Sequence, residues 1–515
     1  MTRIFKYLSL FLWLALIVLA SCRKDFDFKT SSGELSFSKD TVYLDTIFTN
    51  IGSSTYTLKV YNNENEDIVI PRVGLKNGNT SAYRLNVDGL TGKEFIDIPI
   101  LAKDSMFIFI ETTFDIAAQG ETEFLHTDAI EFENTGMTKT VELVTLVKDA
   151  VFLYPQTLDS GIKENLLLGL DEDGNEIRIE GFFLEDDELD FTNEKPYVVY
   201  GYAAVPENST LTMASGTRVH FHKNSGLLVT SGARLVIQGA LSEDSEILEN
   251  EVILEGDRLE PDFANVPGQW GAIWIANGSS NNQIDHLTLK NATIGLLVEG
   301  SVNAATTLTL NNSQIYNSSN TNLWAITAAV TSTNTVFGNA GSISLYCNLG
   351  GTYSFKHCTV ANYWTNGFRN SPALFIDNFI EDIDGNQLSG DLQNATFQNC
   401  VIDGNRNIEL LFASNGTNDF DFNFVNCAVK FDDFNQTLEG DPLFDFTNGA
   451  NFESPFLNLD TQFADARNND FRLLENSEIR GLGNLDIAIE VPFDAKGMDR
   501  TVVPDLGAFQ FAPIE

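Results

Sequence analysis

Seven versions of one eight-residue phrase recur between Leu287 and Val429, and they limit the fold more than any other feature of the chain. They read "LTLKNATI", "LTLNNSQI", "VTSTNTVF", "YSFKHCTV", "ALFIDNFI", "ATFQNCVI" and "FNFVNCAV", with successive steps of 21, 22, 23, 20, 22 and 27 residues. The shared pattern is apolar, any, apolar, any, Asn-like, small, any, apolar. Apolar residues at the first and third positions are strand alternation, but the next inward positions are the sixth and eighth, so the phase slips by one. The slip falls on Asn291, Asn312, Asn334, His357, Asp377, Asn399 and Asn426. These residue types tolerate left-handed backbone best after glycine.

Two short strands joined at a sharp corner, repeated about every 22 residues, predict one coil of a right-handed, single-stranded parallel β-helix. Coils stack about 4.8 Å apart, so equivalent residues form columns. Ala292, Ser313, Thr335, Cys358, Asn378, Cys400 and Cys427 are then expected to form an inward column of small side chains. Phe355, Phe375, Phe397 and Phe424 are expected to form an aromatic stack beside it. On this reading Cys358 and Cys400 are separated by the Asn378 coil, and the cysteines are buried free thiols. A disulfide scaffold suits short Cys-dense chains, whereas this one has 5 cysteines in 515 residues. Zinc would need paired ligands at close spacing, and there are none.

The flanking sequence divides as follows: a signal peptide at 1–21, an acidic tether at 22–34, an Ig-like β-sandwich at 35–150, a junction at 151–199, the β-helix at 200–435 and a C-terminal cap region at 436–515. Short alternating strands between turn residues predict the sandwich. In the junction, "LGLDEDGNEIRIEG" has Asp171, Asp173 and Asn175 at alternate positions, but Glu176 and Phe182 occupy the places where an EF-hand needs glycine and glutamate. A hairpin turning at Asp173-Gly174 is expected instead. The whole chain is therefore read as all-β.

The formal net charge of −41 repels nucleic acid and anionic membranes, so no nucleic-acid partner is expected. No cofactor is expected; calcium could bridge an anionic polysaccharide but has no motif. "MTRIFKYLSLFLWLALIVLAS" has a basic start and an apolar run too short for a stable span, as in a signal peptide. Its Leu19-Ala20-Ser21-Cys22 ending resembles the bacterial lipobox, which implies lipidation of Cys22. Lys24, Asp25 and Asp27 resemble the export signal of Bacteroidetes-type surface lipoproteins. That resemblance implies an outer-membrane, cell-surface location through a lipid anchor, and acyl chains would hold the protein there.

The stretch Leu35–Ile70 resembles immunoglobulin-fold modules of the Hydin-like type. Residues 195–515 resemble right-handed parallel β-helix surface lipoproteins of Bacteroidetes, including choice-of-anchor Q proteins. The tail elements that carry this are Asp441-Pro442-Leu443-Phe444, Asn469-Asp470-Phe471-Arg472-Leu473, Asp494-Ala495-Lys496-Gly497 with Arg500, and Pro504-Asp505-Leu506-Gly507-Ala508-Phe509. Such a tail is expected to cover the bare strand edge of the last coil.

Glycoside cleavage needs two carboxylates about 5 to 9.5 Å apart, here an outward column on neighbouring coils. The fourth-position column reads Lys290, Asn311, Thr333, Lys356, Ile376, Gln398 and Val425, and Asp285 and Asp421 stand alone beside it. No acid meets a second acid or a base on adjacent coils of the alignment. Asp403, Arg406 and Glu409 are expected on a solvated face. His220 and His222 lie on one side of a strand without a third ligand, a poor metal site. Trp270 and Trp274 are expected to share one core-facing side. Tyr363 and Trp364 are the candidates for exposed glycan stacking. No catalytic residue is assigned. The expected function is a surface lipoprotein that binds polysaccharide or a surface protein without catalysis. A polysaccharide lyase or glycoside hydrolase is the alternative, and a structural stalk or adhesin the third.

Overall fold

The structure is a computed structural model that describes residues 28–117, 122–158, 161–171, 174–244, 246–301, 305–381 and 385–513. The signal peptide, Cys22, Lys24, Asp25, Asp27 and the hairpin residue Asp173 lie outside the described residues. The chain forms two compact units, Met1–Asp149 and Ala150–Glu515.

The first unit is a β-sandwich of a six-stranded and a five-stranded sheet. Alternation along each strand sends one side inward: Leu58, Val60, Ile108 and Ile110 from one sheet meet Ile130, Phe132, Val141 and Leu143 from the other. The sandwich starts earlier than expected, because Lys29–Thr30, assigned to the tether, pairs in parallel with Ile68–Val69.

The second unit is a parallel β-helix of three sheets with 11, 10 and 10 strands. One coil shows the rule. Tyr197–Val199 lies in the first sheet, Tyr202–Val205 in the second and Thr210–Met213 in the third, and Arg218–Phe221 returns to the first, one rung on. The coil before it is built from the segment expected to be a junction: Val151–Leu153 pairs with Tyr197–Val199. The expected hairpin forms from Asn165–Leu170 and Glu176–Phe183 and closes the N-terminal edge of the second sheet.

The third-to-first-sheet corner is a left-handed column of His286, Asn312, Asn334, His357, Asn399 and Asn426, with φ between 48° and 52°. Two expected members belong elsewhere. Asn291 (φ 64°) stands at the next corner, above Asn317 and Asn339. Asp377 ends a strand of the second sheet, in register with Ala413. The phrase misleads because apolar alternation is the same in all three sheets and cannot say which one a strand joins. "ALFIDNFI" is thus not a separate coil. It belongs to an enlarged one, and Tyr353 to Lys356 pairs directly with Ala395 to Gln398.

Cys358 and Cys400 are consequently neighbours, with the Cys358 backbone N 3.4 Å from Cys400 Sγ. Cys347, Cys358, Cys400 and Cys427 are free and buried, and burial pushes the first three thiols up. Phe355, Phe397 and Phe424 stack at 4.9 and 4.6 Å. Phe375 takes no part.

The C-terminal region does more than cover an edge. Phe452–Glu453 and Phe456–Leu457 add the last rungs, and Asp441 Oδ1 accepts the Leu443 N–H at 3.0 Å to shape the turn that packs Phe444 against Phe412. Beyond them the chain folds back as a plate over the outward side of the first sheet. Phe471, Ala508 and Phe509 cover Val336 and Ala361, while Leu473, Ile479 and Leu506 cover Val401 and Ala428. The corner columns hold its margins. Asn334 Nδ2 donates to Phe493 O (2.9 Å), Asn399 Nδ2 to Asn484 O (3.0 Å) and Asn339 Nδ2 to Ala466 O (2.7 Å). Gly338 leaves room for the plate: a Cβ there would lie 2.4 Å from the Phe471 ring.

The tail elements are the plate's own fasteners. Asp494 accepts N–H groups of Lys496, Met498 and Gln510, and Asp505 accepts those of Gly481 and Phe511. Buried Arg500 donates to the carbonyls of Gly507 and Ala508, and burial lowers its pKa to about 10.

Candidate functional site

With the first sheet largely covered, the second sheet carries the most distinctive open surface. Strands of its successive coils send two apolar side chains inward, as Leu323 and Ala325 or Leu345 and Cys347 do, and one outward between them. Register places the outward residues in one column: Trp274, Leu297, Trp324, Tyr346, Phe375 and Leu411. All six are half-buried. Trp324 and Tyr346 stack at 5.7 Å, Tyr346 and Phe375 at 5.2 Å.

A buried polar network fixes these rings. Trp324 Nε1 donates to Asn348 Oδ1 (3.2 Å), Asn348 Nδ2 to Asp377 Oδ1 (2.8 Å) and Tyr346 Oη to Asp377 Oδ2 (2.6 Å). Burial raises the Asp377 pKa against these donors. Burial, then Asp377, raises that of Tyr346. Asp377, expected as a corner residue, is therefore a positioning group for the aromatic column.

At the N-terminal end of the column lies a groove of about 900 Å³. The hairpin side supplies one wall through Lys163, Ile179 and Glu180; Tyr200, Tyr202, His222 and Trp274 are among the residues that line the remainder. His222 Nδ1 lies 2.7 Å from Asp257 Oδ2, and its ring meets Tyr200 at 4.6 Å. Burial, helped by Asp257, raises the Tyr200 pKa. The buried Trp274 Nε1 has no hydrogen-bond partner among the described residues. The arrangement combines aromatic surface with charged and polar groups, as small-molecule sites do.

Several sequence expectations need correction here. Trp364 is 8% exposed, against the Gly341 turn, so it offers no open stacking face. Tyr363 donates its hydroxyl to Asp403 Oδ2 (2.7 Å) and packs edge-on to Phe463 of the plate. Asp403 and Glu409 are buried rather than solvated: Asp403 also accepts Thr461 Oγ1 (2.5 Å), and Glu409 forms a two-pronged pair with Arg369 at 2.6 and 2.8 Å. Trp270 and Trp274 do not share a side. The strand Ile273–Ile275 begins only after Gly271, so the even spacing spans a corner; Trp270 stacks on Phe221 in the core and Trp274 faces out.

His220 and His222 also separate, His220 lying 3.7 Å from Glu255 and His222 turning to Asp257. An acid does meet a base on adjacent coils, since Lys290 Nζ, in the first repeated phrase, is 2.8 Å from Glu255 Oε2 on the coil before it. Burial opposes charge on both. His220 and Lys290 nonetheless hold Glu255 below its usual range, and Glu255 holds Lys290 above its own. Each stays charged near neutrality, which suits an ion pair better than a proton carrier. Sequence reasoning missed Trp324, Tyr346 and Phe375 because their spacings of 22 and 29 residues become a column only once the enlarged coil is placed.

No family model and no curated protein matches the chain. Among solved structures it is similar to the ASH/PapD-like domain 7 of human CEP192, with 12% identity over 22% of this chain and 84% of that one, at a TM-score of 0.15. It is similar to a family 123 glycoside hydrolase from Clostridium perfringens, described for glycolipid glycan hydrolysis, with 8% identity over 24% of this chain and 30% of that one, at 0.16. It is also similar to the catalytic unit of a thermostable GH87 alpha-1,3-glucanase from Streptomyces thermodiastaticus strain HF3-3, with 11% identity over 72% of this chain and 79% of that one, at 0.24. At such TM-scores these likenesses assign neither family nor activity, and the fold rests on its own strand pairing.

Proposed function

We propose that this chain is a lipid-anchored cell-surface protein whose β-helix binds a polysaccharide without cutting it. The observation that carries the reading is the groove lined by Tyr200, Tyr202, His222 and Trp274, at the head of an outward aromatic column. Sugars have apolar C–H faces that pack on aromatic rings and hydroxyls that hydrogen-bond to polar side chains, which Lys163, Glu180 and His222 supply in this groove. The acidic surface argues for a neutral glycan over a polyanion.

Trp274→Ala is expected to weaken retention on the glycan that binds by about tenfold or more, equivalent to about 1.4 kcal/mol. Affinity electrophoresis against a panel of soluble polysaccharides measures it; unchanged mobility for the variant on every retained glycan would sink the groove as the site. His222 of the same groove, paired with Asp257, favours cleavage as the second reading. New reducing ends that disappear in His222→Ala would put that reading first.

The anchor is proposed from Leu19-Ala20-Ser21-Cys22 alone. Cys22→Ser is expected to block lipidation and cleavage of the leader, so that the chain keeps its larger precursor mass and does not reach the outer-membrane fraction. A Cys22→Ser chain of wild-type mass with unchanged fractionation would remove the lipoprotein part of the proposal and leave the groove untouched.

A further inference from the structure

A second column runs beside the aromatic one. Thr293, Asn320, Ser342 and Ser371 each stand four residues before Leu297, Trp324, Tyr346 and Phe375, so every coil in this stretch pairs one hydroxyl or amide side chain with one aromatic or aliphatic side chain. The polar residues stack in register. Asn320 N donates to Thr293 O (2.9 Å), Ser342 N to Asn320 O (2.8 Å), and the Ser342 and Ser371 hydroxyls meet at 3.0 Å. Thr293 and Asn320 are exposed, Ser342 and Ser371 half-buried. Thr293 and Leu297 also line the groove, so the paired columns continue from it. Three residues before Ser371, Phe368 is 86% exposed, although the adjacent Arg369 is fixed in its buried pair with Glu409.

We infer that these paired columns form a linear binding strip that reads one sugar unit per coil, and that the ligand is an extended, β-1,4-type chain of at least four units lying along the helix axis. The inference rests on the glycan reading above. A pyranose ring has a polar rim and apolar faces, the same pairing that each coil displays. Four coil steps from Trp274 to Phe375 cover about 19 Å. An extended chain advances per sugar by close to the coil rise of about 4.8 Å, so successive units stay in step with successive coils. A coiled α-1,4 chain turns away from a straight strip after one or two units. Neither an isolated sugar nor a disaccharide would span the four coil steps from Trp274 to Phe375.

The test is calorimetric titration of the full chain with cello-, manno-, xylo- and chito-oligosaccharides of two and six units, with maltohexaose as the coiled probe. The expected result is at least a tenfold gain in affinity from two to six units for one β-1,4 series, and none for maltohexaose. Phe368→Ala and Asn320→Ala remove surface side chains. They are expected to bring the six-unit affinity down toward the two-unit value while leaving the two-unit affinity unchanged. Equal affinity for two and six units, equal binding of maltohexaose, or no effect of either variant on the six-unit ligand would overturn the strip while the groove reading stands. Absence of binding by every probe would overturn both.

Discussion

Phe397→Ala is expected to destabilise the β-helix unit by about 3 to 5 kcal/mol, the range for deleting a buried aromatic ring. Phe397 is fully buried, with Phe355 on one side at 4.9 Å and Phe424 on the other at 4.6 Å, both nearly parallel to it. Parallel strand pairing above and below keeps the neighbouring coils at their spacing, so the cavity cannot collapse and the lost contacts are not replaced. Urea unfolding followed by tryptophan fluorescence measures it, because Trp270, Trp274, Trp324 and Trp364 all lie in this unit. The unfolding midpoint should fall, with Phe397→Leu losing less. A change below about 1 kcal/mol would mean that the aromatic stack is not the continuous core described.

Arg369→Met is expected to have an effect of similar size, about 3 to 5 kcal/mol, because it leaves the Glu409 carboxylate buried without its partner. Arg369 donates to both Glu409 oxygens, to Asn362 O (2.8 Å), to Asn405 Oδ1 (2.6 Å) and to Ser371 O (2.7 Å), so one side chain holds the segment carrying Phe368 and Ser371 against the coil. Burial raises the Glu409 pKa even with Arg369 beside it. A carboxyl group whose folded pKa lies above its unfolded value is less stabilising once pH rises through the folded value, and removing Arg369 pushes that value higher still. The deficit of Arg369→Met relative to the wild type is therefore expected to be larger at pH 8 than at pH 5. Arg369→Met combined with Glu409→Leu should recover much of it, since the bare charge is gone. A pH-independent deficit that the second substitution does not repair would show that lost packing, and not the stranded carboxylate, is responsible.

Much of the architecture was legible in one dimension. Strand alternation interrupted at Asn312, Asn334, His357, Asn399 and Asn426 specifies a corner at those residues, because local sterics alone decide which side chains accept left-handed backbone. The small residues after those corners and the buried phenylalanines follow from the same periodicity. Which strand pairs with which is not local. "ALFIDNFI" carries the right alternation but joins the second sheet, and only the closing of an enlarged coil shows that Cys358 adjoins Cys400 and that Phe375 stands outside, above Tyr346.

The candidate site depended almost wholly on that tertiary step. Trp274, Trp324, Tyr346 and Phe375 come from four different coils and meet only because parallel strands stack in register, and the hairpin wall reaches Trp274 from about a hundred residues earlier in the chain. Trp364 shows the converse. Its sequence position beyond a strand suggested exposure, yet the Arg369 segment and the Gly341 turn enclose it. Periodicity determines whether a side chain points in or out of its own coil, because that depends on backbone geometry within a few residues. Whether an outward side chain meets solvent, a plate or another ring is decided by segments distant in sequence, and only the folded chain brings them together.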